Sequence, residues 1–146
     1  DKGCDQVVFL DSSEHKWVEE LGGMNLFFLF DDGSVVTPPL GGTILPGITR
    51  DSILQLLRAD GVSVEERPYS INDWRADAQS GKLREVFACG TAAVLAAVGQ
   101  VKSTKGDFMI GNGGTGLRTE ALRTRLTAIQ RGQAPGPEGW VHQVAL

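Results

Sequence analysis

Gly42-Thr43-Ile44-Leu45-Pro46-Gly47-Ile48-Thr49-Arg50 is a glycine- and proline-rich loop that runs straight into a stretch of helical periodicity. Thr49 stands where an N-cap belongs, Asp51 falls in the first turn, and Ile53, Leu54, Leu56 and Leu57 supply an apolar stripe. Gly61 ends the run, so the pattern predicts a helix over residues 49–60. A loop that feeds a helix N-terminus offers unpaired backbone N–H groups at the positive end of the dipole, which suits an anion. The same pattern equally suits a Thr49 that caps its helix and binds nothing.

On the N-terminal side of this loop the chain reads as strands. Gln6 to Leu10 is a short apolar run, turned by Asp11-Ser12-Ser13. Lys16 to Glu19 forms a short strand that leads into Leu21-Gly22-Gly23. Met24 to Phe30 carries Leu and Phe on both faces and so belongs in the middle of a sheet. Asp31-Asp32-Gly33 is a hairpin turn, and Ser34 to Thr37 is the return strand, stopped by Pro38-Pro39.

On the C-terminal side, Val62 to Arg67 alternates as a strand does, and Ser70 caps a helix to Ser80 with Trp74 facing inward. Lys82 to Ala88 is a strand closed by Cys89-Gly90-Thr91. Ala92 to Val101 is small and apolar and fits a strand or a buried helix. Phe108 to Ile110 is a short strand, and Leu117 to Arg131 a helix with Leu117, Ala121, Leu122, Leu126 and Ile129 as its apolar positions. Gly132 to Gly139 reads as a surface loop, with Trp140 and Val141 pinning the terminus. There is no internal repeat and no sign of a second domain.

A length of 146 residues, 41% of them hydrophobic, suits one domain with a real core. The net charge of −4 gives no basic footprint for nucleic acid. Arg118, Arg123, Arg125 and Arg131 read as a solvated helix face. Cys4 and Cys89 make no metal-spaced pair, and His15 and His142 stand alone, so no metal site is expected. Two cysteines in a core-forming chain point to a reducing, cytoplasmic compartment. No apolar run approaches the roughly 18 residues of a membrane span, and none reads as a signal peptide. The chain opens on Asp1 rather than Met, and Lys2-Gly3-Cys4-Asp5 reads as the continuation of an earlier segment of a longer protein.

Three further segments carry candidate chemistry. Gly111, Gly113 and Gly116 match G-x-G-x-x-G and precede a helix. A dinucleotide unit would need a second parallel strand and an acidic residue about 20 positions on. Here a proline/glycine tail follows the helix, so the glycines read as a flexible loop. Glu19-Glu20 stands at a strand end and reads as solvated. A carboxylate turned inward there is costly without a cationic partner, and Asn25, which opens the apolar strand, needs a partner for its amide. Cys89-Gly90-Thr91-Ala92-Ala93 can present N–H groups and a hydroxyl to an anion, or can be a plain turn. Cys89 itself reads as a small buried hydrophobe.

Four segments occur together in a fixed order: Glu20-Leu21-Gly22-Gly23-Met24-Asn25-Leu26-Phe27, Thr37-Pro38-Pro39-Leu40, Ile44-Leu45-Pro46-Gly47-Ile48-Thr49-Arg50, and Phe87-Ala88-Cys89-Gly90-Thr91-Ala92-Ala93. In that order they resemble the C-terminal part of the branched-chain amino-acid aminotransferases. These are class IV, D-alanine-aminotransferase-like enzymes that use pyridoxal 5′-phosphate (PLP). The resemblance runs over nearly the whole chain, to the helix that ends at Arg131. It implies an α/β fold, the large C-terminal domain of these enzymes, with a mixed sheet or pseudo-barrel and flanking helices over residues 1–146.

The resemblance also implies roles. Glu20 faces the pyridine nitrogen of PLP and keeps it protonated. Leu45 packs on the ring, while the backbone at Gly47, Ile48 and Thr49, with the Thr49 hydroxyl, holds the phosphate. The Thr91 hydroxyl reaches the same phosphate. The backbone around Gly90, Thr91 and Ala92 receives the substrate carboxylate, with Gly23 and Met24 near the substrate pocket. The implied reaction moves an amino group between leucine, isoleucine or valine and 2-oxoglutarate, with glutamate and 2-oxo acids as the other partners, in a homodimer. A D-amino-acid aminotransferase or an aminodeoxychorismate lyase is the alternative within the family. A non-catalytic phosphate-binding domain is the alternative outside it.

The sequence departs from the family in one decisive respect. The Schiff-base lysine of these enzymes lies upstream of the Glu20 motif, and Lys2, Lys16, Lys82, Lys102 and Lys105 match no family lysine position. The small N-terminal domain is missing as well, so the chain reads as truncated on that side and carries no catalytic residue of its own. Ala93 and Ala96 stand where some vertebrate members carry a redox Cys-x-x-Cys, so no such switch is expected.

Overall fold

Strand β3, Met24–Phe30, is the centre of the protein in the computed structural model, which describes residues 3–142 and 144. Asp1 and Lys2 therefore lie outside the described residues. As the sequence predicts, β3 is buried on both faces. Leu26 and Phe28 point into one apolar cluster with Tyr69 and Trp74, whereas Phe27 and Leu29 point into a second with Ile53, Leu57, Phe87 and Leu126. Strand alternation alone produces this division, because successive side chains leave the sheet on opposite sides. Aromatic packing reinforces it: the Phe27 and Phe87 rings stack at 5.0 Å, and Trp74 meets Phe28 edge-on at 4.9 Å.

The sheet grows outward from β3. Strand β2 (Val18–Leu21) pairs with its first residues and β4 (Val35–Thr37) with its later ones, both antiparallel. Strand β6 (Leu83–Gly90) runs along the other edge over nearly its whole length. Strand β1 (Val8–Leu10) adds to β2, and β7 (Val94–Ala97) adds to β6. Strand β5 (Val64–Glu66) pairs with β4 in parallel, which makes the curled sheet mixed. Two short strands, β8 (Gln100–Val101) and β9 (Phe108–Met109), pair separately.

Three helices flank the sheet: α1 (Ile48–Ala59), α2 (Ile71–Ser80) and α3 (Leu117–Gln130). Helix α2 follows the sequence reading closely. Ser70 caps it by accepting the Asp73 N–H at 3.0 Å, and Trp74 is fully buried beneath it. The β2–β3 hairpin turns on Gly22 and Gly23, both at positive φ, as a two-residue turn of this hand demands.

Four sequence expectations are corrected. Helix α1 starts at Ile48 with Gly47 as N-cap, so Thr49 lies inside the first turn and does not cap it. Strand β6 continues through Cys89 to Gly90, because both residues still pair with Leu95 and Val94 of β7. The turn falls at 91–93, and of the two readings open for the segment that follows, the strand is the one found. On α3, Leu122, Leu126 and Ile129 are buried, but Leu117 is 89% exposed and Ala121 also faces solvent, because the helix packs through a narrower stripe. At the C-terminal end Trp140 packs on the second core cluster, while Val141 is exposed.

The glycine-rich segment before α3 has a definite job. Glu85 of β6 accepts the Arg118 N–H at 3.1 Å, the Thr119 N–H at 2.7 Å and the Thr119 hydroxyl at 2.7 Å. A protein carboxylate thus fills the helix end that a dinucleotide phosphate would use. Gly116 lies so close that a Cβ there would stand 2.0 Å from the Glu85 Cδ. Gly116→Ala is expected to push the carboxylate off the helix and cost about 1–3 kcal/mol. Urea unfolding measures this, and an unchanged midpoint would refute the packing argument.

Candidate functional site

One end of the sheet gathers most of the predicted site residues. Glu20 of β2 lies directly opposite Asn25 of β3, and Asn25 lies opposite Cys89 of β6. Gly90 follows Cys89 and leads into Thr91 and Ala92, which are exposed in the β6–β7 turn. A Cβ on Gly90 would stand 3.3 Å from the Met24 Cγ, so the β2–β3 turn with Gly23 and Met24 borders the end of β6.

The 42–47 loop is laid across this end by side chains of β2 and β3. Glu19 accepts the Thr43 hydroxyl at 2.7 Å, and Glu20 accepts the Leu45 N–H at 2.6 Å. Asn25 donates to the Leu45 carbonyl at 2.9 Å. The two acidic residues, read from sequence as solvated, are half-buried and meet hydroxyl and N–H donors, not a cation. Hydrogen bonds of this kind to a charged acceptor are worth more than neutral ones and offset its partial desolvation.

Helix α1 begins three residues beyond Leu45 with no side chain capping it. The first intrahelical bond reaches back from the Asp51 N–H to the Gly47 carbonyl at 3.0 Å. The N–H groups of Ile48 and Thr49 therefore precede the ladder and have no acceptor within the helix. Thr49 is 6% exposed, while Ile48 and Leu45 lie open at 80% and 63%. An uncapped N-terminus on a glycine is the donor set that a phosphate group takes, and the Glu20 carboxylate stands close by, held on Leu45. These residues fit a ligand that carries a phosphate and a basic ring nitrogen, as PLP does.

Two partners of the site escape the motif reading. Arg50, the next residue after Thr49, is 3% exposed, and its guanidinium donates to the Pro38 carbonyl at 3.0 Å and to Glu66 at 2.8 Å. Glu66 also receives Arg58 from the far end of the same helix at 2.8 Å. Hydrogen bonds from Arg58 and then Arg50 hold the Glu66 carboxyl below its ordinary value. The only hint in the sequence is a charge next to an apolar helical stripe. Cys89 is fully buried, as the sequence predicts, and burial pushes its thiol up to about 12. It is therefore no nucleophile at neutral pH.

Among the described residues no cluster of His, Cys, Asp and Glu could hold a metal, and no helix is long and apolar enough to cross a membrane.

The chain is 53% identical over 142 residues to the branched-chain-amino-acid aminotransferase of Mycolicibacterium smegmatis, covering 95% of this chain and 39% of that protein. It is 51% identical over 144 residues to a probable branched-chain-amino-acid aminotransferase of Streptomyces coelicolor, covering 99% and 40%. The chain thus spans about two fifths of the length of these curated relatives. The branched-chain amino acid aminotransferase of Escherichia coli superposes with a TM-score of 0.76 at 31% identity, over 97% of this chain and 43% of that one. A second solved branched-chain amino acid aminotransferase, from T.th. and complexed with N-(5′-phosphopyridoxyl)-L-glutamate, superposes with a TM-score of 0.77 at 31% identity, over 94% and 42%. The family model for amino-transferase class IV matches residues 1–101. With that match over more than half of its length, the chain belongs to the class IV aminotransferases.

Proposed function

We propose that this chain forms the PLP-binding part of a branched-chain amino-acid aminotransferase. The observation that carries the reading is the pairing of the Glu20 carboxylate, held on Leu45, with the uncapped start of α1 three residues later. PLP, when bound, supplies an electron sink for the charge left by the departing α-proton. Glu20 holds a proton on the ring nitrogen, and Leu45 lends its exposed side chain to the ring face. The N–H groups of Ile48 and Thr49, the Gly47 cradle and the hydroxyls of Thr49 and Thr91 bind the phosphate. The backbone of Gly90, Thr91 and Ala92 orients the substrate carboxylate, and Gly23 and Met24 border the substrate side chain.

The net reaction transfers the amino group of leucine, isoleucine or valine to 2-oxoglutarate, giving a branched 2-oxo acid and glutamate. In the family that the motifs resemble, the lysine that carries PLP and shuttles the proton lies upstream of the Glu20 motif, and the proposed reaction needs such a lysine. A homodimer is part of this proposal, as the family resemblance of the sequence motifs implies. Two cysteines in a core-forming chain favour a reducing, cytoplasmic setting.

A substrate panel on the full-length enzyme tests the reading. Leucine with 2-oxoglutarate is expected to turn over, and D-alanine is not. Turnover of D-alanine without leucine would overturn the assignment. Residues 1–146 alone are expected to show no transamination, since no lysine here matches the family position.

A further inference from the structure

Asn25 is 5% exposed, and its backbone sits between β2 and β6, opposite Glu20 on one side and Cys89 on the other. Glu20 and Asn25 grip the two sides of one residue: the carboxylate takes the Leu45 N–H at 2.6 Å, and the amide donates to the Leu45 carbonyl at 2.9 Å. The Gly47 N–H donates to that same carbonyl at 2.8 Å. Pro46 between them has a fixed φ and no N–H to give. A Cβ on Gly47 would stand 2.5 Å from the Asn25 Oδ1. The amide thus fills the space beside the residue that caps α1, and a side chain added there must displace it.

We propose that Asn25 is a positioning residue for the phosphate end of the site, locking the Leu45–Gly47 turn so that the first N–H groups of α1 stand in a fixed place relative to Glu20. This rests on the PLP-binding reading above. One cross-strand pair then serves both ends of the ligand: Glu20 meets the ring nitrogen, and Asn25 places the phosphate donors. The 41–47 loop contains no helix or strand of its own. Its conformation depends on such tethers, and the Asn25 bond holds the residue just before the helix start. Without it the Leu45 carbonyl loses its hold on β3, and the turn that precedes Ile48 regains freedom.

The test compares PLP with pyridoxal, which lacks the phosphate, as ligands of the full-length apoenzyme. Asn25→Ala is expected to weaken PLP binding about tenfold or more while changing pyridoxal binding by less than about twofold. General destabilisation would weaken both alike. Gly47→Ala places its methyl on the amide oxygen and is expected to give the same selective loss. The Asn25→Ala/Gly47→Ala double variant is expected to be no worse than either single variant, because the two changes break one contact. Unchanged PLP binding in Asn25→Ala, equal losses for both ligands, or additive losses in the double variant would overturn the proposal. If Asn25→Ala yields no folded enzyme, the PLP-to-pyridoxal ratio of Gly47→Ala decides by the same criterion. A wild-type enzyme that binds neither compound would overturn the cofactor reading and this inference with it, whereas failure confined to the variants overturns this inference alone.

Discussion

Glu20→Gln in the full-length enzyme is expected to lower kcat/KM by about 10² to 10³-fold with little change in the unfolding midpoint. Glutamine keeps the volume and an oxygen that can accept the Leu45 N–H, which Glu20 now receives at 2.6 Å. The loop therefore stays where it is, and only the negative charge is lost. A neutral amide cannot hold a proton on the ring nitrogen, so the ring loses most of its power to take up charge as the substrate proton leaves. Glu20→Ala removes the acceptor as well and is expected to add weaker PLP retention to the same kinetic loss. Steady-state kinetics with leucine, alongside thermal unfolding, separates the two effects. A glutamine variant with wild-type kcat/KM would remove Glu20 from the proposed chemistry.

Glu66→Ala is expected to lower stability by about 3 kcal/mol. Its effect comes from what it leaves behind. The Arg50 side chain is 4% exposed and would keep its charge with no counter-ion, whereas Glu66 itself is 33% exposed. Arg50→Met is expected to cost less, about 1–2 kcal/mol, because Glu66 retains Arg58 and water while only the Pro38 carbonyl loses a donor. The order of the two variants in urea unfolding is the test, and a larger loss in Arg50→Met would contradict it. The pair also carries a pH dependence. Because folding holds the Glu66 carboxyl below its ordinary 4.5, its stabilisation is present above that value and is lost as the pH falls beneath it.

Much of the fold can be read locally. Met24–Phe30 has apolar side chains on both faces, and a central strand accommodates that pattern. Ser70 is followed three residues later by the N–H it accepts, so the start of α2 is written in a short window. Helix α1 shows where such reading fails. Thr49 is the better cap by residue type, yet Gly47 takes the position, and the space beside it is filled by Asn25 from a strand more than 20 residues away. The same distance hides the tethers of the site: Asn25 to Leu45 spans 20 residues and Arg50 to Glu66 spans 16. The four site motifs are visible because their order is distinctive. How they are held together is not, since it lies in pairs that no window contains.

Strand β3 finds its longest partner late. Phe30 pairs with Leu83 and Asn25 with Cys89, so the chain must extend more than 50 residues past β3 before that edge can close. At ordinary translation speeds this is a wait of roughly 3–10 s. During that interval the most apolar segment of the protein has only the β2 and β4 hairpins beside it, and its other edge lies open to any passing strand. Synthesis therefore imposes a vulnerable period on this chain, and its yield in the cell depends on how quickly residues 83–90 arrive and on what shields β3 until they do.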